Sequence, residues 1–136
     1  TRENKTKHSD LQFYIALRYD YLRFGIFTAY EKKTQKIFGE IYRKINSESD
    51  LFLQLLSKLE AKGIYITTKI ANDESGKPKP LAIDSKDPAE SIREDGTFNI
   101  MTAIPIGDIT NQDVSGMILD CFMEILPMYK FVLSLE

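Results

Sequence analysis

The chain has 136 residues, 43% hydrophobic and 28% charged, with a net charge of −2. That size can close a core without disulfides or metals, and the composition argues against a disordered or fibrous chain. One cysteine excludes an intramolecular disulfide, and no apolar run approaches the roughly 18 residues of a membrane span. The charge is unevenly spread: residues 1–70 carry 13 Lys and Arg against 8 Asp and Glu, residues 71–136 carry 5 against 12. Such asymmetry suits a basic binding surface or a pair of ordinary solvated faces.

The chain opens on a polar stretch, residues 1–10, read as a flexible lead into one α+β domain. Nothing in it resembles the apolar core of a signal peptide, and the start at Thr1 suits a domain cut from a longer chain. Together with the single cysteine, this predicts a cytoplasmic protein.

"FYIALRYDYLRFGIF", residues 13–27, holds six aromatics and two arginines. If Tyr19 and Asp20 form the turn of a hairpin, Leu11, Phe13, Ile15, Leu17, Leu22, Phe24 and Ile26 share one face and must enter the core. Tyr14, Ala16, Arg18, Tyr21, Arg23, Gly25 and Phe27 then share the other. A slip by one residue would scramble this sorting. Tyr-Asp is not the favoured turn pair, which leaves room for a longer loop.

A helix is expected over about Tyr30–Ile45, with Thr34, Ile37, Phe38, Ile41 and Ile45 inward and a basic face that includes Lys32 and Lys36. Ser47 with Asp50 resembles a capping box for a second helix, whose stripe is Leu51, Phe52, Leu55, Leu56 and Leu59, with Gly63 closing it. Ile64–Ile70 alternates as a strand, residues 71–80 read as a turn or exposed loop, and Leu81–Asp84 as a short strand. Residues 85–96 read as a polar loop with at most a helical turn. Phe98, Ile100, Thr102, Ile104 and Ile106 mark another strand. Thr110 and Asp113 should cap a third helix with Val114, Met117, Ile118, Cys121 and Ile125 inward. Pro127 should end or kink that helix, and residues 128–136 suit either a helix or a strand. The expected fold is an antiparallel sheet of four or five strands, opened by the N-terminal hairpin, with about three helices on one face.

That layering leaves the second sheet face open. Tyr14, Tyr21 and Phe27 supply rings that stack on bases, and Arg18 and Arg23 supply partners for phosphate. The same residue types fit a protein interface, and equally an ordinary sheet surface on which Tyr14 shields bare backbone at Gly25. The expectation is a non-catalytic binding module that uses this face and the basic helix. Its ligand would be a partner protein or a nucleic acid.

Two further patterns bear on function. The run from Tyr30 to Asp84 has the rhythm of a winged helix, with Lys77 and Lys79 at the turn. The stretch "IANDESGKPKPLAIDSK" admits a Mg²⁺-dependent nuclease. Asp73 or Glu74, together with Asp84, would hold the ion, and Lys86, two residues from Asp84, would orient the attacking water. Turn residues dominate this stretch, so a solvated hairpin tip explains it as well. Several other chemistries are excluded. His8 is the only histidine, which removes multi-histidine metal sites and histidine triads. Cys121 lies on an apolar helix stripe, where a buried, inert thiol is expected. No Gly-rich phosphate loop is present.

Overall fold

The structure is a computed structural model, and it describes residues 11–28, 34–72, 75–111 and 113–135. The flexible lead expected at residues 1–10, with His8, falls outside this range, as do Lys32, Asp73 and Glu74. Five strands form one antiparallel sheet in the order β1-β2-β5-β3-β4: β1 Leu11–Arg18, β2 Tyr21–Thr28, β3 Tyr65–Asn72, β4 Pro78–Pro80 and β5 Asn99–Pro105. Among the described residues four helices accompany it: α1 Thr34–Ser47, α2 Ser49–Glu60, α3 Pro88–Asp95 and α4 Val114–Val132, with a 3₁₀ turn at Ile106–Asn111. The α+β class, the antiparallel sheet and the leading hairpin are those the patterning implies.

The core lies between one sheet face and the helices. Leu22, Phe24 and Ile26 of β2, Ile66 of β3, and Ile100 and Ile104 of β5 meet Ile37, Ile41 and Ile45 of α1, with Phe52, Leu56 and Leu59 of α2. Cys121, Ile125 and Met128 of α4 complete the cluster. Leu51, expected inward on α2, is exposed instead. At the far end of β2 a polar group is buried within the sheet. The Thr28 N–H donates to Asn99 Oδ1, the Phe98 N–H donates to Thr28 Oγ1, and Asn99 Nδ2 donates to Thr97 Oγ1. Thr28, Thr97 and Asn99 thus satisfy one another, which is the condition for burying them cheaply.

Several local expectations are overturned. Residues 85–96 are not a loop: Asp87 accepts from the Glu90 N–H as N-cap, Pro88 opens α3, and Gly96 closes it with a left-handed φ of 82°. Cap, first-turn proline and terminal glycine compensate for a weak apolar stripe, so a short helix forms where periodicity alone shows little. Leu81–Asp84 lies outside any strand, because β4 comes earlier, at Pro78–Pro80. Ser47 does not cap α2. It closes α1, its hydroxyl donating to the Lys44 carbonyl, and Glu48 occupies the cap position with no side-chain bond. On α4, Asp113 alone is the cap, accepting from the Gly116 N–H, while Ile106–Asn111 forms the 3₁₀ turn. Pro127 does not end α4, which runs on to Val132. Pro127 and Met123, whose carbonyl loses its helical donor, both face outward, the side on which a freed carbonyl is open to solvent. β3 pairs with β5 inside the sheet, so no separate two-stranded wing exists.

Candidate functional site

The hairpin has the register that its patterning dictates. Arg18 faces Tyr21, Leu17 faces Leu22, Ile15 faces Phe24 and Phe13 faces Ile26. The loop is two residues long, and Tyr19 adopts a φ of 50° to make it. Asn-Gly is therefore not required here; Tyr19 accepts a left-handed backbone at some cost.

On the second face, the expected residues stand together but only partly open. Tyr14 is half-buried, its hydroxyl donating to the Met101 sulfur and its ring packed edge-on against Phe27 at 4.9 Å. Burial pushes the Tyr14 phenol up to about 12, against the lowering pull of Arg23 and Arg18. Tyr14 sits opposite Gly25 and covers it. Tyr21, Arg23 and Phe27 are also half-buried, and Arg18 is exposed. With Tyr14 packed edge-on against Phe27 and its hydroxyl held by Met101, only part of this face is open.

The loop after β3 helps to close this face. The Asp20 N–H donates to the Ser75 carbonyl at 2.9 Å, and Gly76 lies on the Arg18 backbone. Gly76 has a φ of 91°, and a methyl group there would overlap the Arg18 carbonyl oxygen. That contact brings exposed Lys77 to the neighbourhood of Arg18, which joins two features the sequence presents far apart. Lys36, by contrast, is carried by α1, whose Ile37 and Ile41 enter the core on the other side of the sheet. The basic helix and the aromatic–arginine face do not form one surface.

The larger correction concerns the face expected to be wholly core. Leu11, Leu22, Phe24 and Ile26 are buried, but Phe13, Ile15 and Leu17 are 41%, 53% and 65% exposed. Among the described residues β1 is an edge strand, and α4 meets it at Phe13, which lies 4.7 Å from the Phe122 ring and 5.4 Å from that of Tyr129. On the same helix Leu119 and Met123, one turn apart, are 61% and 59% exposed. Alternation gives the face of each residue but not the width of the helical layer above it.

The nuclease residues lie elsewhere. The Asp84 carboxylate accepts from the Lys86 backbone N–H at 2.9 Å, and the Asp84 N–H donates to Ser91 Oγ at 3.0 Å. Asp84 thus shapes the turn into α3, with Asp87 capping that helix. Among the described residues, no three acidic, histidine or cysteine side chains converge as a metal site would require.

Cys121 is buried, at the floor of a cleft of about 420 Å³ between α4, β5 and the start of β3, with Lys62, Asp120 and Glu124 among its walls. Burial first, and the nearby Glu124 charge second, push the thiol up to about 12 from its ordinary 9.0. The thiolate is the reactive form. Native protein at pH 8 should therefore react with a thiol reagent at least tenfold more slowly than urea-unfolded protein. Equal rates would show that the thiol is accessible. The same displacement makes native stability decline as pH rises from 9 towards 12, where only the unfolded thiol ionises.

Beyond the geometry there is no relative to argue from: no protein-family model matches the chain, nor does any curated protein or solved structure.

Proposed function

We propose that this domain is a non-catalytic binding module whose ligand is an anionic partner protein, held at the turn end of the β1–β2 hairpin. The observation that carries this reading is the contact of Gly76 with the Arg18 backbone, which brings Lys77 beside Arg18 and its cross-strand partner Tyr21. Arginine and tyrosine are the residue types that dominate interface hot spots. Arg18 and Lys77 are both exposed there.

Nucleic acid is the second reading, supported by the same cations beside Tyr19, which is 76% exposed. With Tyr14 and Phe27 engaged with each other, fewer rings remain to stack on bases, which favours protein. A Mg²⁺-dependent nuclease on Asp73, Asp84 and Lys86 has less support, since the Asp84 carboxylate already organises a turn. Among the described residues no helix is long and apolar enough to cross a membrane. The cytoplasmic setting we favour rests on the single free thiol.

The test uses labelled acidic peptides and single- and double-stranded oligonucleotides in fluorescence anisotropy, with and without Mg²⁺ and at two salt concentrations. The Arg18→Glu, Lys77→Glu double variant should weaken peptide binding at least tenfold, as expected for a hot-spot pair, while Asp84→Ala changes nothing. Preference for oligonucleotide with steep salt dependence would establish the second reading. Mg²⁺-dependent shortening of the oligonucleotide, lost in Asp84→Ala, would overturn both.

A further inference from the structure

The two edges of the sheet are built differently. β4 is three residues long, Pro78-Lys79-Pro80, and its pairing with β3 is irregular. A short edge of prolines and a lysine blocks further strand addition. β1 is eight residues long, pairs with β2 without a bulge, and contains neither proline nor lysine. Its exposed side chains on the helix side are Phe13, Ile15 and Leu17. A long, regular, apolar edge is one that natural sheets leave open only where it is meant to be paired.

We propose that β1 pairs antiparallel with β1 of a second copy of this chain, joining two sheets of five strands into one continuous sheet. The sequence of β1 is complementary to itself in one register. With Ile15 opposite its counterpart, Phe13 meets Leu17 of the other copy, Tyr14 meets Ala16, and Gln12 meets Arg18. Apolar residues then lie opposite apolar ones on the helix side, and no like charges are apposed.

Backbone geometry selects the same register. Arg18 and Tyr21 flank a two-residue turn, so the even-numbered residues of β1 turn their N–H and C=O groups to β2. Phe13, Ile15 and Leu17 turn theirs outward. These are the groups that a two-fold centred on Ile15 brings into hydrogen-bonded pairs. Ser75 and Gly76 meet the hairpin at its turn end, at Asp20 and Arg18.

Area sets how tight such a pair would be. A two-fold normal to the sheet puts both α4 helices on one side, with Phe122 and Tyr129 of each, which meet Phe13, beside the new seam. Phe13, Ile15 and Leu17 expose on the order of 300 Å², the size of an apolar patch that on a single chain is often functional. Two copies would bury roughly twice that, the range of weak and reversible association, so a dissociation constant of about 100 µM is expected.

The test is sedimentation equilibrium of the chain from about 10 µM to 1 mM, a range that brackets such affinities. The expected result is a reversible monomer–dimer equilibrium. Ile15→Lys, which places two lysines face to face at the seam, should raise the dissociation constant about 100-fold or more. Leu17→Glu is the second variant. Both positions are exposed in the single chain, so unchanged circular dichroism and melting temperature should show that folding is intact. Amide exchange at Phe13, Ile15 and Leu17 should slow with rising concentration. A chain monomeric at 1 mM overturns the proposal and leaves the edge to a different protein, as does a dimer that survives both folded variants. Because the variants spare Lys77 and Lys79, peptide binding at the hairpin tip in the dissociated variants reports on the proposed ligand separately.

Discussion

Replacing Gly25 by alanine should destabilise the domain by about 3 kcal/mol or more, enough to unfold a marginal protein of this size. Gly25 lies in the middle of β2, between Tyr14 on β1 and Met101 on β5. A methyl group there would overlap the Ile100 carbonyl oxygen and come within 2.9 Å of Met101 Cα. Both obstacles are backbone in a central strand, so neither can swing aside as a flexible side chain would. The backbone adds to the cost, with a φ of 156° at the margin of what a side chain tolerates. Urea denaturation of Gly25→Ala, beside Gly39→Ala as a control with open space around it, checks the expectation. Equal midpoints for the two variants would show that β2 and β5 can move apart.

The second large effect is a contrast between cross-strand partners. Ile15 and Phe24 face each other on the helix side of the hairpin, and alternation alone treats them as equal core residues. Phe24 is 1% exposed and Ile15 53% exposed. Phe24→Ala should therefore cost about 3–5 kcal/mol, the transfer of the ring plus the cavity left beneath α4. Ile15→Ala, measured at micromolar concentration where the chain is single, should cost no more than about 1 kcal/mol for its partial burial. Chemical denaturation of both variants in parallel decides the matter. A large loss at Ile15 would place it under cover and remove the exposed edge.

These two residues also show where sequence reasoning is strong. The register of the hairpin is determined by seven apolar residues that alternate without exception. A slip by one residue would set these apolar residues opposite the polar face of the partner strand. The helical stripes of Ile37, Ile41 and Ile45 and of Phe52, Leu56 and Leu59 are determined likewise, because several residues must agree on one face. Short elements escape this logic. α3 holds only Ala89 and Ile92 in the core beside Pro88, and its caps carry the information that periodicity lacks. Pro127 misleads for a related reason, since its cost depends on whether the freed carbonyl meets water.

The candidate site divides along the same line. By itself the sequence determined which side chains share a face: Tyr14, Arg18, Tyr21, Arg23 and Phe27 on one, Phe13, Ile15 and Leu17 on the other. Pro78-Lys79-Pro80 it marked only as turn or loop, where the structure has the short edge strand β4. What it did not contain is which faces are covered, because cover comes from segments distant in the chain. Only the tertiary structure brought Gly76 onto Arg18, enclosed Tyr14 against Met101, and left Ile15 and Leu17 uncovered. Faces follow from local geometry with a period of two or 3.6 residues, whereas exposure follows from strand order and from how far a helix reaches across a sheet.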